Sequence, residues 1–158
     1  MAEAFAAFLT NRHLLTAIVA LVLAQVLKTL FNYWRTSSWQ KAVGLLFSTG
    51  GMPSSHSSLA TSLAMSIGLY EGFDTTLFAV SAVLALVVMH DAQGIRRAAG
   101  LQAEAINFLF SKLENQGIKF DTKLKELLGH RPIEVMAGAI LGLIVTAMAF
   151  LLFPPGVS

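Results

Sequence analysis

Apolar and polar positions alternate along this chain in long blocks rather than in short periods. Four apolar runs stand out: His13 to about Trp34, about Ser54 to Tyr70, Phe73 to about Met89, and about Ile133 to Phe153. A helix that crosses a bilayer needs roughly 20 apolar residues, with a range of about 17 to 25. The first and fourth runs meet that length outright, and the two middle runs lie at its short end. The middle pair is joined by "EGFD", residues 71–74, which is too tight for anything but a helical hairpin. The pattern therefore predicts an all-α integral-membrane bundle of about four transmembrane helices, forming a single domain over 1–158. The first run has no basic cluster ahead of it, since Arg12 is the first base, and it is long for a signal-peptide core. It reads as a span.

Between the third and fourth runs lies a polar stretch, about 91–131. Within "LQAEAINFLFSKLENQG", Leu101, Ala105, Phe108, Leu109 and Leu113 recur at helical spacing, and Gly117 is placed to end that helix. A second short helix is predicted after Asp121, stopping at Gly129. One or two helices are expected here, lying in the membrane interface or capping the bundle from the cytosol.

Composition sharpens this picture. Of 158 residues, 55% are hydrophobic and 13% charged, where a soluble domain usually carries about a quarter charged residues. With no cysteine, disulfides and thiolate metal ligands are excluded. A net charge of +2 does not suggest a nucleic-acid partner. The basic residues are unevenly placed. Residues 28–41 hold three bases and no acid, residues 91–131 hold seven bases and five acids, and "EGFD" holds two acids and no base. The Lys/Arg excess marks the cytoplasmic side. Both termini are then expected to face outward and both polar loops inward, in the cell membrane.

An even number of alternating spans places the end of the first, the start of the second, the end of the third and the start of the fourth on one face. The ionisable residues gather there. The first span ends with Lys28 and Arg35, the second opens with "PSSH", the third ends with "HDAQGIRR", and the fourth opens after "GHRPIE". Clustered charge at a membrane boundary is a functional hypothesis by default. Lys28 and Arg35 are seven apart, so both project from one helix face about 10 Å apart along the axis. His130 and Glu134 are four apart and adjacent on a helix, where the carboxylate can accept the Nδ1 proton and raise the basicity of Nε2. Ser54 or Ser55 can cap the helix that "PSSH" opens, and free backbone N–H groups there make a ready anion site. Cations, amide donors and two histidines, His56 and His130, suit a phosphate monoester or diphosphate. Ser58, Ser62 and Ser66, and Gly138 with Gly142, read as helix-packing faces, and His13 and His90 as interfacial or structural.

These residues resemble the type 2 phosphatidic acid phosphatase superfamily, which includes vanadium-dependent haloperoxidases. Its three motifs are Lys-x6-Arg-Pro, Pro-Ser-Gly-His and Ser-Arg-x5-His-x3-Asp. Here they stand as "KTLFNYWRT", 28–36, as "PSSH", 53–56, and as "HRPIE", 130–134. "GGMPSSHSS", "HDAQGIRRAAGLQA" and "GHRPIEVMAGAILG" look like a divergent, haloperoxidase-related branch of it. Thr36 replaces the proline of the first motif, Ser55 the glycine of the second, and Glu134 the aspartate of the third, while Leu124 stands where the third motif's arginine would be. The nearest arginines are Arg96 and Arg97.

The resemblance implies His130 as nucleophile, forming a phosphohistidine, with Glu134 orienting it. It implies His56 as the acid that protonates the leaving oxygen and the base that then activates water. Lys28, Arg35 and one of Arg96 or Arg97 would hold the phosphoryl oxygens, with backbone N–H donors at Ser55 and His56 behind the Ser54 or Ser55 cap. No metal or other cofactor is required in that scheme. Asp91 falls outside it and is placed either to pair with and position Arg96 or Arg97 or to bind a cation in a variant mechanism. The implied function is a metal-independent membrane lipid phosphatase acting on a polyprenyl phosphate or diphosphate, phosphatidic acid or phosphatidylglycerophosphate. The alternative is a non-catalytic lipid- or phosphate-binding or transport-related protein that retains the anion site. Self-association into a homo-oligomer is left open.

Overall fold

The structure is a computed structural model that describes residues 1–44, 51–116, 120, 124 and 129–155. The described residues form seven helices: α1 (Ala2–Thr10), α2 (Arg12–Thr36), α3 (Trp39–Gly44), α4 (Ser55–Glu71), α5 (Thr76–Gln93), α6 (Ile95–Glu114) and α7 (Pro132–Leu152). The four apolar runs are α2, α4, α5 and α7. The expected helix in the polar stretch is α6, which starts earlier than its periodicity suggested because the chain resumes helix directly after Gly94. The second short helix, after Asp121, lies outside the described residues. Two short helices, α1 and α3, were not anticipated.

Local chemistry sets the boundaries. Asn11 Oδ1 accepts from the Leu14 N–H at 3.0 Å and Thr75 Oγ1 from the Phe78 N–H at 3.2 Å, capping α2 and α5. Ser37, in the left-handed region at φ 50°, ends α2 by donating its N–H to Tyr33 O. Pro132 opens α7, where a missing N–H costs nothing.

Among the described residues, three stretches are long and apolar enough to cross a membrane: Arg12–Thr36, Thr76–Glu114 and Pro132–Leu152. Their outward faces carry bare aliphatic residues such as Val80, Leu86, Ile140 and Met148. The fourth, α4, has 17 residues and is rich in serine, yet at 1.5 Å per residue it still reaches about 25 Å. It is the central helix, packed on α2, α5 and α7, so protein rather than lipid covers its polar side chains. This is why it is less apolar than its neighbours.

Small residues let the backbones close. Ala17, Ala20 and Ala24 of α2 are buried, and Ser58 Oγ donates to Ala20 O at 3.1 Å. Gly138 of α7 faces the backbone carbonyl of Ser54, and a Cβ at Gly142 would stand 2.5 Å from Ser58 O. One turn further along, Ser62 Oγ pairs with Thr146 Oγ1 at 2.8 Å. The serine stripe and the Gly138/Gly142 pair are thus two sides of one helix–helix contact, as close approach of small residues requires.

Candidate functional site

Helix polarity brings the C-terminal ends of α2 and α5 together with the N-terminal ends of α4 and α7. Two backbone hydrogen bonds fix the junction. Ser54 donates its N–H to Glu134 O at 2.9 Å, tying the start of α4 to the first turn of α7. His130 donates its N–H to Ala92 O at 3.1 Å, tying the approach to α7 onto the last turn of α5. His56 lies two residues beyond Ser54, so both candidate histidines sit at the same end of the bundle.

His130 is buried, 4% exposed, and its Nδ1 lies 3.1 Å from Glu134 Oε2. The same carboxylate oxygen accepts the Arg131 N–H at 3.1 Å, so Glu134 caps its own helix while it grips the ring. A carboxylate on Nδ1 selects the tautomer that leaves the Nε2 lone pair free. Among the described residues no group bonds His130 Nε2.

Lys28 is 2% exposed and lies within range of the charge on Glu134. Its stem runs beneath Gly51, where a Cβ would come within 3.0 Å of Lys28 Cδ and 3.6 Å of Asn32 Nδ2. Gly51 has φ 100°, a conformation that glycine alone adopts without strain. The glycine before "MPSSH" therefore does two things: it turns the chain into α4 and lets the loop press on the lysine. Asn32, one turn beyond Lys28, has a buried Nδ2 with no hydrogen-bond partner among the described residues. A buried amide donor of this kind calls for an acceptor. Sequence reasoning passed over Asn32; its place in the interval between Lys28 and Arg35, on their shared helix face, was the available signal.

The remaining expected residues divide. Ser54, fully buried, is the α4 cap: its Oγ accepts from Ser57 Oγ at 2.9 Å and faces the Ser57 N–H at 3.4 Å. Ser55 and His56 open α4, where first-turn N–H groups have no acceptor within the helix. Ser55 is buried and His56 exposed. Arg35 is exposed in the last turn of α2. Asp91 is partly buried beside His90 at the end of α5. Arg96 and Arg97 occupy the first turn of α6, within a few residues of the Ala92 carbonyl that holds His130; their side chains lie outside what is described. Leu124, in the position of the absent arginine, is pinned to α6 by Asn107, which accepts its N–H at 2.9 Å and donates to its carbonyl at 2.8 Å.

The opposite end is wired pair by pair. His13 places Nδ1 2.9 Å from Ser66 Oγ and Nε2 3.0 Å from Glu71 Oε1. Arg12 lies over the Tyr70 ring at 4.8 Å, and Tyr70 donates its hydroxyl to Phe153 O at 2.8 Å. Both ring nitrogens of His13 are thus engaged by side chains of α4.

Comparison with known proteins adds the lineage. A family model described as "Divergent PAP2 family" matches residues 9–145. The chain is 44% identical over 151 residues to the uncharacterized membrane protein YuiD of Bacillus subtilis (strain 168), covering 87% of this chain and 93% of that one. No solved structure matches.

Proposed function

The chain belongs to the divergent PAP2 family, and from that premise we propose that it is a membrane lipid phosphatase working through a phosphohistidine at His130. One observation carries the reading: Glu134 holds Nδ1 at 3.1 Å while Nε2, the nucleophilic nitrogen, bonds nothing among the described residues. Nε2 attacks the terminal phosphorus and its bond to the leaving oxygen breaks (the lipid oxygen of a monoester, the bridging oxygen of a diphosphate), with His56 supplying the proton to that oxygen. Water then attacks the phosphoimidazole, His56 takes its proton, the N–P bond breaks, and inorganic phosphate leaves. Splitting the displacement in two is the gain of covalent catalysis. Lys28, Arg35, one of Arg96 or Arg97, Asn32 and the first-turn amides of α4 hold the phosphoryl oxygens, where fixed donors stabilise the transition state. Asp91 positions the arginine from the end of α5.

The substrate is a phosphate monoester or diphosphate of a lipid: a polyprenyl phosphate or diphosphate, phosphatidic acid or phosphatidylglycerophosphate. The site faces the cytoplasm and both termini face outward, following the Lys/Arg distribution. With no native cysteine, single cysteines at Asp74 and at Trp39 test this in intact cells. An impermeant maleimide labels the first and spares the second; the reverse pattern inverts the assignment.

The central test is phosphate release by purified protein from a panel of lipid phosphates, with and without EDTA. We expect release in both conditions, inhibition by vanadate, and loss of release in His130→Ala. Full release by His130→Ala removes the nucleophile from the scheme. Saturable binding of a lipid phosphate without release moves the protein to the alternative class, a non-catalytic lipid-phosphate binder.

A further inference from the structure

One face of α6 meets the rest of the chain, and the face turned away from it is bare. Gly100, Ala103, Asn107 and Phe110 follow at intervals of three, four and three, so they share the first face. Gly100 and Ala103 are buried there, Asn107 bonds both backbone groups of Leu124, and Phe110 stacks on Phe120 with ring centres 4.2 Å apart. Leu101, Ala105, Phe108 and Lys112, at intervals of four, three and four, lie about 150° round the helix from it. This second face is mostly apolar: Leu101 is 45% exposed, Phe108 61%, and Leu109 on its flank 58%. An apolar stripe on an otherwise polar helix forms to be covered.

Its place in the fold says what the cover is. The stretch Thr76–Glu114 has 39 residues, about 58 Å of helix, against a hydrocarbon core of about 30 Å. With 18 residues and about 27 Å, α5 alone fills that core, and it shows bare Leu86 and Val87 near its C-terminal end. Gly94, at ψ −79° where a helix has about −42°, then interrupts the helix, and α6 begins at the next residue. So α6 starts where the head groups start, continuing a surface that already faces lipid. The charges agree. Lys112 Nζ stands 5.4 Å from the centre of the Phe108 ring, which holds the amine over the apolar face. A lysine beside lipid does this, its stem on apolar surface and its head among the head groups. Neither Glu104 nor Glu114 shares that face. Two copies paired through it would set one ammonium against the other, whereas anionic head groups supply the opposite charge.

We infer that α6 lies in the plane of the bilayer surface at which α5 ends, with Leu101, Ala105, Phe108 and Leu109 sunk among the lipids and Lys112 on the phosphates of anionic head groups. It is an interfacial anchor rather than a cap standing in water. Its 20 residues tie about 30 Å of helix to that surface. The tie begins three residues after Ala92, whose carbonyl holds the His130 backbone. This seat is independent of the phosphatase reading, and no substrate is needed to detect it.

With no native cysteine, single spin labels report the seat in the full chain, reconstituted into vesicles of phosphatidylcholine and phosphatidylglycerol. Labels on Phe108→Cys and Leu109→Cys should be open to oxygen, shielded from a water-soluble nickel chelate, and about 5–10 Å inside the phosphate level. Labels on Ser111→Cys and Glu114→Cys should show the reverse. Ala105→Cys, a small change on the same face, carries the test if the larger losses do not fold. Equal nickel access at Leu109 and Glu114 overturns the inference, since the helix would stand in water. So does shielding of Phe108 and Leu109 from both reagents together with dipolar coupling between labels, which gives the face to a second copy. In vesicles of phosphatidylcholine alone the Leu109 label should sit shallower; an unchanged depth overturns the assignment of Lys112 to anionic head groups.

Discussion

Each end of the bundle holds a histidine bonded to a glutamate, and the two pairs are wired differently. At the α4 C-terminal end, both nitrogens of His13 are used, one by Ser66 and one by Glu71. Around it, Arg12 meets Tyr70 and Tyr70 meets the last carbonyls of α7. At the α4 N-terminal end, only Nδ1 of His130 is bonded among the described residues. At the same end Lys28 is buried, and Asn32 has a buried Nδ2 with no hydrogen-bond partner among the described residues. A histidine–glutamate pair is thus no signature by itself. The informative difference among the described residues is that both ring nitrogens of His13 are bonded, whereas His130 Nε2 and the buried Asn32 Nδ2 are not.

The largest expected effect breaks the comparison directly. His130→Ala should lower phosphate release by about 10³-fold or more, as removal of a nucleophile does. His13→Ala should leave kcat within about twofold. Comparable losses in both would mean that the two ends do not differ in kind. Next comes Gly138→Val, which drives a branched side chain into the Ser54 backbone and so disturbs the Ser54–Glu134 tie as well. Overpacking of this sort costs about 1 to 3 kcal/mol or more. Thermal unfolding followed by fluorescence should show an early transition, and activity should fall with it. Glu134→Gln separates orientation from folding. The amide oxygen can still accept the Arg131 N–H, so the unfolding midpoint should move little. Loss of the charge that favours the reacting imidazole should lower kcat by roughly 10²-fold, the scale of general acid–base assistance, with KM nearly unchanged.

Much of the fold was legible because bilayer spans advertise themselves. The apolar run at 13–34 became Arg12–Thr36, and that at 133–153 became Pro132–Leu152, each bounded by a residue with capping chemistry. The pairing of His130 with Glu134 followed from i,i+4 spacing alone. The burial of Lys28 was not legible. A lysine near the end of a span reads as an interfacial anchor, and only the folded position of Gly51 shows that the stem is covered. Nor was the wiring of His13, since Ser66 is 53 residues away. The helices α1 and α3 escaped for another reason: at nine and six residues they are too short for periodicity to mark them.

A milder change sharpens the contrast from the structural side. Glu71→Gln keeps a hydrogen-bond acceptor for His13 Nε2 and removes the charge from a partly exposed pair. Such pairs contribute about 1 kcal/mol or less. A small drop in unfolding midpoint with unchanged phosphate release is expected, and a large loss of release would assign the His13 end a part in the chemistry.

The smallest effect concerns the polar stripe that runs between the ends. Thr146 Oγ1 lies 2.9 Å from Gly142 O and 2.8 Å from Ser62 Oγ. A threonine has one hydroxyl proton. If it goes to the Gly142 carbonyl, Ser62 donates to Thr146 across the helix pair. Ser62→Ala then removes one interhelical bond but leaves Thr146 its carbonyl partner. Hydrogen bonds of this kind within membranes average about 0.6 kcal/mol, so the unfolding midpoint should fall only slightly. A double-mutant cycle with Thr146→Val should give a coupling of the same size. Phosphate release should not change, because Ser62 lies on α4 two turns from Ser54 and its bond to Thr146 of α7 touches neither His56 nor His130. A measurable change in kcat for Ser62→Ala would mean that small shifts in the α4–α7 contact reach His130, and the two ends would have to be treated as one mechanical unit.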